Sequence, residues 1–215
     1  MKLGIIGAGK LGMVLGQLAQ QAGYQVLIAG SGDPSRIELI VATLLPQAQS
    51  LTSAAVAQQA DLVILALPLH RYRMLAAADF ADKIVIDATN YWEPTDGPAA
   101  DLLISGTSSS EMIQQQLKSS QVIKAFNHIG YHNLLDLAAP VGSSGRKSVA
   151  LAGDQLAAKN QVATIINQMG FDPLDIGPLA AGKLLEPGSP AFGASVSRTK
   201  LQFLIQKYAV DSKTD

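Results

Sequence analysis

The chain has 215 residues, a net charge of −1, 48% hydrophobic residues and only 15% charged ones. That balance excludes a disordered chain, and sixteen basic against seventeen acidic residues exclude a surface built to neutralise nucleic-acid phosphates. The absence of cysteine excludes disulfides, thiolate metal centres and a cysteine nucleophile.

Short apolar runs alternate with amphipathic stretches along the chain. Leu3–Ile6, Gln25–Ala29, Leu62–Leu67, Ile84–Ile86, Val122–Phe126 and Ser148–Ala152 read as strands, with weaker ones near Ala48–Leu51 and Leu174–Ile176. They are rich in Val, Ile and Leu without strict alternation, as strands covered on both faces are. Between them, Leu11–Gln21, Pro34–Leu44, Ser53–Ala60, Ser109–Leu117 and Gln155–Met169 carry helical spacing, and a last helix is expected from about Ala191 to Tyr208. Asp33-Pro34 reads as cap and first helical residue, Ser108-Ser109-Ser110-Glu111 as a capped helix start, and Asp154 as the residue before a long helix.

This alternation predicts an α/β, doubly wound Rossmann parallel sheet with helices on both faces and a short C-terminal α/β extension. The division expected is 1–145 for the dinucleotide-binding domain and 146–215 for an extension packed on the same sheet, joined by a flexible, solvated Gly142–Lys147 link. No apolar run reaches the ~18 residues of a membrane helix, and the apolar start breaks at Gly7 instead of continuing as a leader. A cytoplasmic protein with no membrane or nucleic-acid partner is expected, with Asp211–Asp215 a frayed polar tail.

Gly7-Ala8-Gly9-Lys10-Leu11-Gly12 is a G-x-G-x-x-G between a strand and a helix, the setting that gives this pattern meaning. Gly7 suits a tight turn, Gly9 lets a pyrophosphate approach the backbone, and Gly12 lets helix and strand pack closely. The helix N-terminus then presents N–H groups and a positive dipole end to phosphate. At the exit of the second strand, Ala29-Gly30-Ser31-Gly32 lacks the acid that holds an NAD ribose. Ser31 and Arg36 are the candidates for a 2′-phosphate, which favours NADP(H), and Asp33 is left as a helix cap. The nicotinamide end should meet the exits of the later strands: Leu67, Pro68 and His70; Ala88, Thr89 and Asn90; and Asn127, His128 and Ile129.

Several of these motifs together resemble the deazaflavin (coenzyme F-420)-dependent NADP oxidoreductases and their bacterial NADPH-dependent relatives. The motifs are the N-terminal glycine turn, Ala66-Leu67-Pro68, Asp87-Ala88-Thr89-Asn90, Lys124-Ala125-Phe126-Asn127, Ala152-Gly153-Asp154, Gly170–Leu179 and Leu185–Gly193. The NADPH-binding domain of membrane ferric reductases is similar too. The resemblance implies direct hydride transfer between nicotinamide and a second planar or small acceptor, a chemistry of alignment more than of acid–base catalysis. The acceptor pocket would then be shaped by Leu67–His70, Asn127–Ile129 and Pro187–Gly193. Deazaflavin enzymes carry His-Thr-Ile where this chain has Asn127-His128-Ile129, so deazaflavin, flavin, a quinone, a ferric chelate or a small carbonyl or imine all stay open as co-substrate. The competing reading is a non-catalytic NADP(H)-binding redox sensor or partner protein.

His128, His132 and Asp136 recur every four residues, yet Gly130 interrupts them, so no metal is expected and the histidines read as capping or surface groups. His70 reads as a helix-start residue or a substrate contact. Tyr131 lacks the Tyr-x-x-x-Lys spacing of a proton donor, and Lys183 reads as a surface lysine. Leu201, Leu204, Ile205 and Tyr208 form a stripe that would suit either a homodimer or packing on the chain's own sheet.

Overall fold

The computed structural model describes residues 1–211. The first half alternates strand and helix as β1 (Lys2–Ile6), α1 (Lys10–Gln21), β2 (Gln25–Ala29), α2 (Ser35–Leu44), β3 (Gln49–Ser50), α3 (Ser53–Gln59) and β4 (Leu62–Leu65). Two 3-10 turns, Leu69–Met74 and Ala77–Phe80, lead to β5 (Ile84–Asp87). The single turns α4 (Glu93–Asp96) and α5 (Ala99–Leu102) precede α6 (Ser109–Gln116) and β6 (Gln121–Ala125). The chain ends through α7 (Tyr131–Leu137), β7 (Ser148–Gly153), α8 (Leu156–Gln168), β8 (Asp172–Asp175), a 3-10 turn at Leu179–Leu185 and α9 (Arg198–Asp211). The expected polar tail falls, from residue 212 onward, outside the described residues.

All eight strands form one sheet in the order β3-β2-β1-β4-β5-β6-β7-β8. The first six are parallel, with the order reversing between β1 and β4, the switch point where doubly wound sheets bind ligands. Successive strand residues feed opposite cores. Leu3, Ile5, Ile28, Ile64 and Ile123 pack under α1, α2, α7 and α8. Ile6, Leu27, Val63, Leu65 and Val122 pack under α3, α6 and the 3-10 turns. Both faces are covered, which is why the runs read as continuous apolar segments.

The sheet departs from the fully parallel expectation in its second half: β6 and β7 pair antiparallel, with Ala125 opposite Leu151, and β8 follows β7 in parallel. A parallel crossover must carry the chain back across the sheet, whereas α7, seven residues and thus about 10 Å long, does not span it. The chain therefore re-enters from the carboxyl edge. In the link at 142–147, Gly142, Ser144 and Gly145 are exposed, but Arg146 departs from the solvated expectation. Arg146 is buried and donates to the Ala139 carbonyl, to Asn167 Oδ1 at 2.8 Å and to Asp172 Oδ1 at 2.6 Å, pinning the link to the end of α8.

The last helix begins seven residues later than expected, at Arg198. Leu201 and Ile205 are buried against Ala150 and Leu174 of the chain's own sheet, so half of the proposed dimer stripe is spent internally. Asp154 does not cap α8; it accepts from the Leu179 N–H at 2.9 Å, anchoring the 3-10 turn. Ser108 and Glu111 do form a reciprocal capping box at α6, and Asp33 accepts from the Ser35 N–H at the start of α2.

His128 is wholly buried and is neither a cap nor a surface group. Its Nε2 accepts from the Ala150 N–H at 3.0 Å, tying the β6 exit to the middle of β7. Burial pushes its imidazole down from 6.5 to about 4, with the Ala191 backbone opposing. A histidine held neutral inside the fold ionises more readily when unfolded, so its stabilisation is present above pH 6.5 and is lost as pH falls towards 4. That window is worth on the order of 3 kcal/mol. Urea midpoints of the wild type should fall through this range, and the fall should be smaller in His128→Gln.

Candidate dinucleotide site

The site lies at the carboxyl ends of β1, β2 and β4, where a cleft of about 540 Å³ is bounded by Gly7, Ala8, Gly9, Gly30, Ser31, Leu67, Pro68 and Arg71. Its floor is backbone. Gly7 stands at φ 121°, a left-handed conformation, and a Cβ there would sit 2.1 Å from the Ala66 carbonyl oxygen. A Cβ on Gly12 would lie 1.8 Å from the Gly7 carbonyl oxygen, so this turn of α1 can approach the strand only as glycine. Gly9, the N-cap of α1, differs: no atom lies within 4 Å of a Cβ built on it. No side chain caps α1. Open space in front of an uncapped helix N-terminus fits an anionic phosphate pair.

Among the sequence candidates, Gly7, Ala8, Gly9, Ser31, Leu67 and Pro68 meet in this cleft. Arg36 is exposed on α2 with its guanidinium over Gly32, and Asp33 nearby is held below its ordinary carboxylate range, first by its hydrogen bonds to Ser35 and in smaller part by Arg36. Lys10 points away from the cleft floor, its Nζ 5.7 Å from the centre of the Tyr131 ring. Leu11 and Gly12 belong to the helix–sheet packing beneath. Arg71, with Met74 and Leu75 from the first 3-10 turn, lines the cleft opposite Ser31 and was not singled out in the sequence. Its signal there was faint, because nothing marks Leu69–Met74 as a helical turn that faces the second strand.

The later strand exits form a second, polar cluster. Lys124 on β6 and Asp87 on β5 pair at 3.0 Å with both side chains fully buried. Lys124 Nζ also donates to the Thr89 carbonyl at 2.7 Å and to Ser109 Oγ at 3.2 Å. Asp87 accepts from Ser110 Oγ at 2.6 Å and from the backbone and hydroxyl of Thr89 at 2.8 and 2.7 Å. Phe126 follows in a left-handed conformation, φ 64°, a costly state for a non-glycine residue. Beyond that turn Asn127 donates to Asn90 Oδ1 at 3.0 Å and to the Leu185 carbonyl at 2.8 Å, while Asn90 donates to the Asn127 carbonyl.

Ala88, Thr89, Asn127, His128 and Ile129 are thus buried structural members of this edge, and of the candidates after β5 and β6 only Asn90 stands half-exposed. His70 lies outside the cleft lining, with Nδ1 2.8 Å from Asp96 Oδ1. Lys183 sits exposed on the Leu179–Leu185 turn, and Tyr131 stacks against His132 on α7.

Sheet order, glycine turn and switch-point cleft together define a dinucleotide-binding fold of the Rossmann class. Residues 2–91 match the family described as NADP oxidoreductase, coenzyme F420-dependent, which bears out the resemblance read from the motifs. The chain is 31% identical over 188 residues to a metalloreductase of Rattus norvegicus, STEAP3, covering 86% of this chain and 36% of the relative. It is 30% identical over 144 residues to the F420-dependent NADP reductase of Methanocaldococcus jannaschii, covering 62% of this chain and 61% of the relative. The chain therefore spans between about a third and three fifths of these curated relatives. A solved structure of a hypothetical protein from Sinorhizobium meliloti superimposes with a TM-score of 0.77 at 28% identity, over 92% of this chain and 95% of that one. Among the described residues no helix is long and apolar enough to cross a membrane.

Gly9 and Gly12 should separate binding from folding. Gly9→Ala adds a methyl group to open space, so it should leave the urea midpoint unchanged while weakening NADPH binding at least tenfold by calorimetric titration. Gly12→Ala must displace the turn and should lower both.

Proposed function

We propose that this protein is an NADP(H)-dependent oxidoreductase that passes a hydride between nicotinamide and a second small or planar acceptor. The observation that carries the reading is the switch-point cleft, with open space before the uncapped N-terminus of α1 and no acid at the β2 exit. Bound there, the cofactor would supply the hydride at its nicotinamide ring. Gly7, Ala8, Gly9 and the first turn of α1 would hold the pyrophosphate through backbone N–H groups and the helix dipole. Leu67 and Pro68 would support the ring end, and Asn90 faces the same edge.

Preference for the 2′-phosphate would come from Ser31 together with two guanidinium groups, Arg36 on α2 and Arg71 across the cleft. Arg36 shares its charge with Asp33. Arg71 makes no salt bridge among the described residues, which leaves it the freer cation of the two. The family match and the reductases among the relatives support the same reading, and the acceptors compatible with it are deazaflavin, flavin, a quinone or a ferric chelate.

Stopped-flow absorbance of the nicotinamide band against that panel tests the proposal, and NADPH bound but oxidised by none of the four would overturn it. Arg71→Ala should weaken NADPH binding about tenfold, the worth of one exposed charge-assisted contact of roughly 1.4 kcal/mol, while leaving NADH affinity nearly unchanged. Equal losses for the two nucleotides would remove Arg71 from 2′-phosphate recognition.

A further inference from the structure

The exits of β4 and β5 meet at a pair of groups that the dinucleotide site does not use. His70 stands two residues beyond Pro68, which lines the cleft, and Asp96 ends the single turn α4 that follows the β5 exit. Asp96 has only 1% of its side chain exposed, whereas His70 keeps 39%. The carboxylate accepts from the His70 backbone N–H at 2.9 Å, from the Trp92 backbone N–H at 2.8 Å, and faces His70 Nδ1 at 2.8 Å. A helix-start role would be met by the backbone bonds alone. The ring contact goes further: it fixes the imidazole's orientation, places the Nδ1 proton on the carboxylate side, and leaves Nε2 free at the surface. A carboxylate-oriented histidine with one open nitrogen is how proton donors and acceptors are built. Trp92, whose backbone N–H shares that carboxylate, is the chain's one tryptophan, and it is 59% exposed in a sequence with few aromatics.

We propose that His70, oriented by Asp96 and flanked by Trp92, is the proton donor of the acceptor site, and that the acceptor is a planar conjugated carbonyl of the quinone class. This rests on the oxidoreductase reading above. In the step, a C–H bond of the reduced nicotinamide breaks and both its electrons go with hydrogen to the quinone, which becomes a hydroquinone anion. The anion's oxygen takes the proton from His70 Nε2. The N–H bond breaks, neutral imidazole remains, and solvent returns the proton. Asp96 holds the ring through its contact with Nδ1 and does not meet the acceptor, so it is a positioning residue. The remaining charged neighbours are Arg71 and Arg73 on the turn that carries His70, and Glu93 and Asp101 on the facing turns α4 and α5.

Menadione is the probe. Titrated into the wild type, it should quench Trp92 fluorescence along a saturating curve, a readout independent of turnover. In the wild type kcat/KM for menadione should fall as pH rises, as it does for a step that needs a proton donor. His70→Asn should lower it about 100-fold, a usual worth for general acid catalysis, abolish that pH limb, and leave NADPH affinity unchanged. Asp96→Asn should lower kcat/KM for menadione by freeing the ring from its fixed orientation, and should shift the His70 ring signals in the NMR spectrum of the free protein. A His70→Asn protein that retains both rate and pH limb would overturn the dyad alone, as would linear, unsaturable quenching of Trp92. A wild type that binds NADPH and reduces none of the acceptor panel would instead overturn the oxidoreductase reading beneath it.

Discussion

The buried pair between Lys124 and Asp87 is the constraint on which the carboxyl edge of the sheet depends. Removing two charges from water costs several kcal/mol for each ion, and mutual attraction repays this only when the remaining hydrogen-bonding capacity is also filled. Here it is filled: Nζ finds a carboxylate, a carbonyl and a hydroxyl, and the carboxylate finds two hydroxyls and a backbone N–H. A hydrophobic pair could supply equal stability in this core, but it would not specify where the loops beyond it go. The ion pair does, because its ligands come from two separate segments: Thr89 after β5, and Ser109 and Ser110 at the start of α6. From Thr89 the order passes outward to Asn90, and from Asn90 to Asn127 and the Leu185 carbonyl.

The two halves of the site are accordingly built from different materials. The phosphate half is backbone, shaped by the places where a Cβ would collide and the one where it would not. The opposite half is a polar network whose members are mostly unavailable to a ligand, since their hydrogen bonds are spent on one another. What such a network contributes is rigidity, and rigidity is what hydride transfer asks of a protein: a short, fixed approach between donor and acceptor.

The sheet and the glycine turn were legible in the sequence because both rest on local patterns. All eight described strands fall within two residues of the apolar runs, and G-x-G-x-x-G sits where strand gives way to helix. What was hidden depends on contacts distant in sequence. Nothing local to Ala125 says that β7 will run antiparallel; that follows from a seven-residue α7 too short to carry the chain back. His128 and Arg146 are polar residues in polar-looking stretches, and their burial comes from Ala150 in one case and Asn167 and Asp172 in the other. Arg71 and Asp96 lie on single turns with no helical periodicity to announce which side they face. Asn127 follows a strand as a binding residue would, but its amide is consumed within the fold.

The C-terminal segment gives the site its direction. Strands β7 and β8 run opposite to the others, so the chain leaves β8 at the far edge and must return, and the turn at Leu179–Leu185 brings it back over β6. A Cβ on Gly182 would lie only 3.2 Å from the Lys124 side chain, Glu186 accepts from Ser109, and the Gly193 N–H donates to the His128 carbonyl. These contacts close the β6 side of the carboxyl edge with the chain's own backbone. The β4 and β5 exits receive no such cover, and it is there that Asn90, His70 and Trp92 keep exposed surface. A fold that seals one side of its switch point and leaves the other lined with an aromatic ring and an oriented imidazole restricts the direction from which a second molecule can approach. The antiparallel strands, which look like a departure from the doubly wound plan, are what make that restriction.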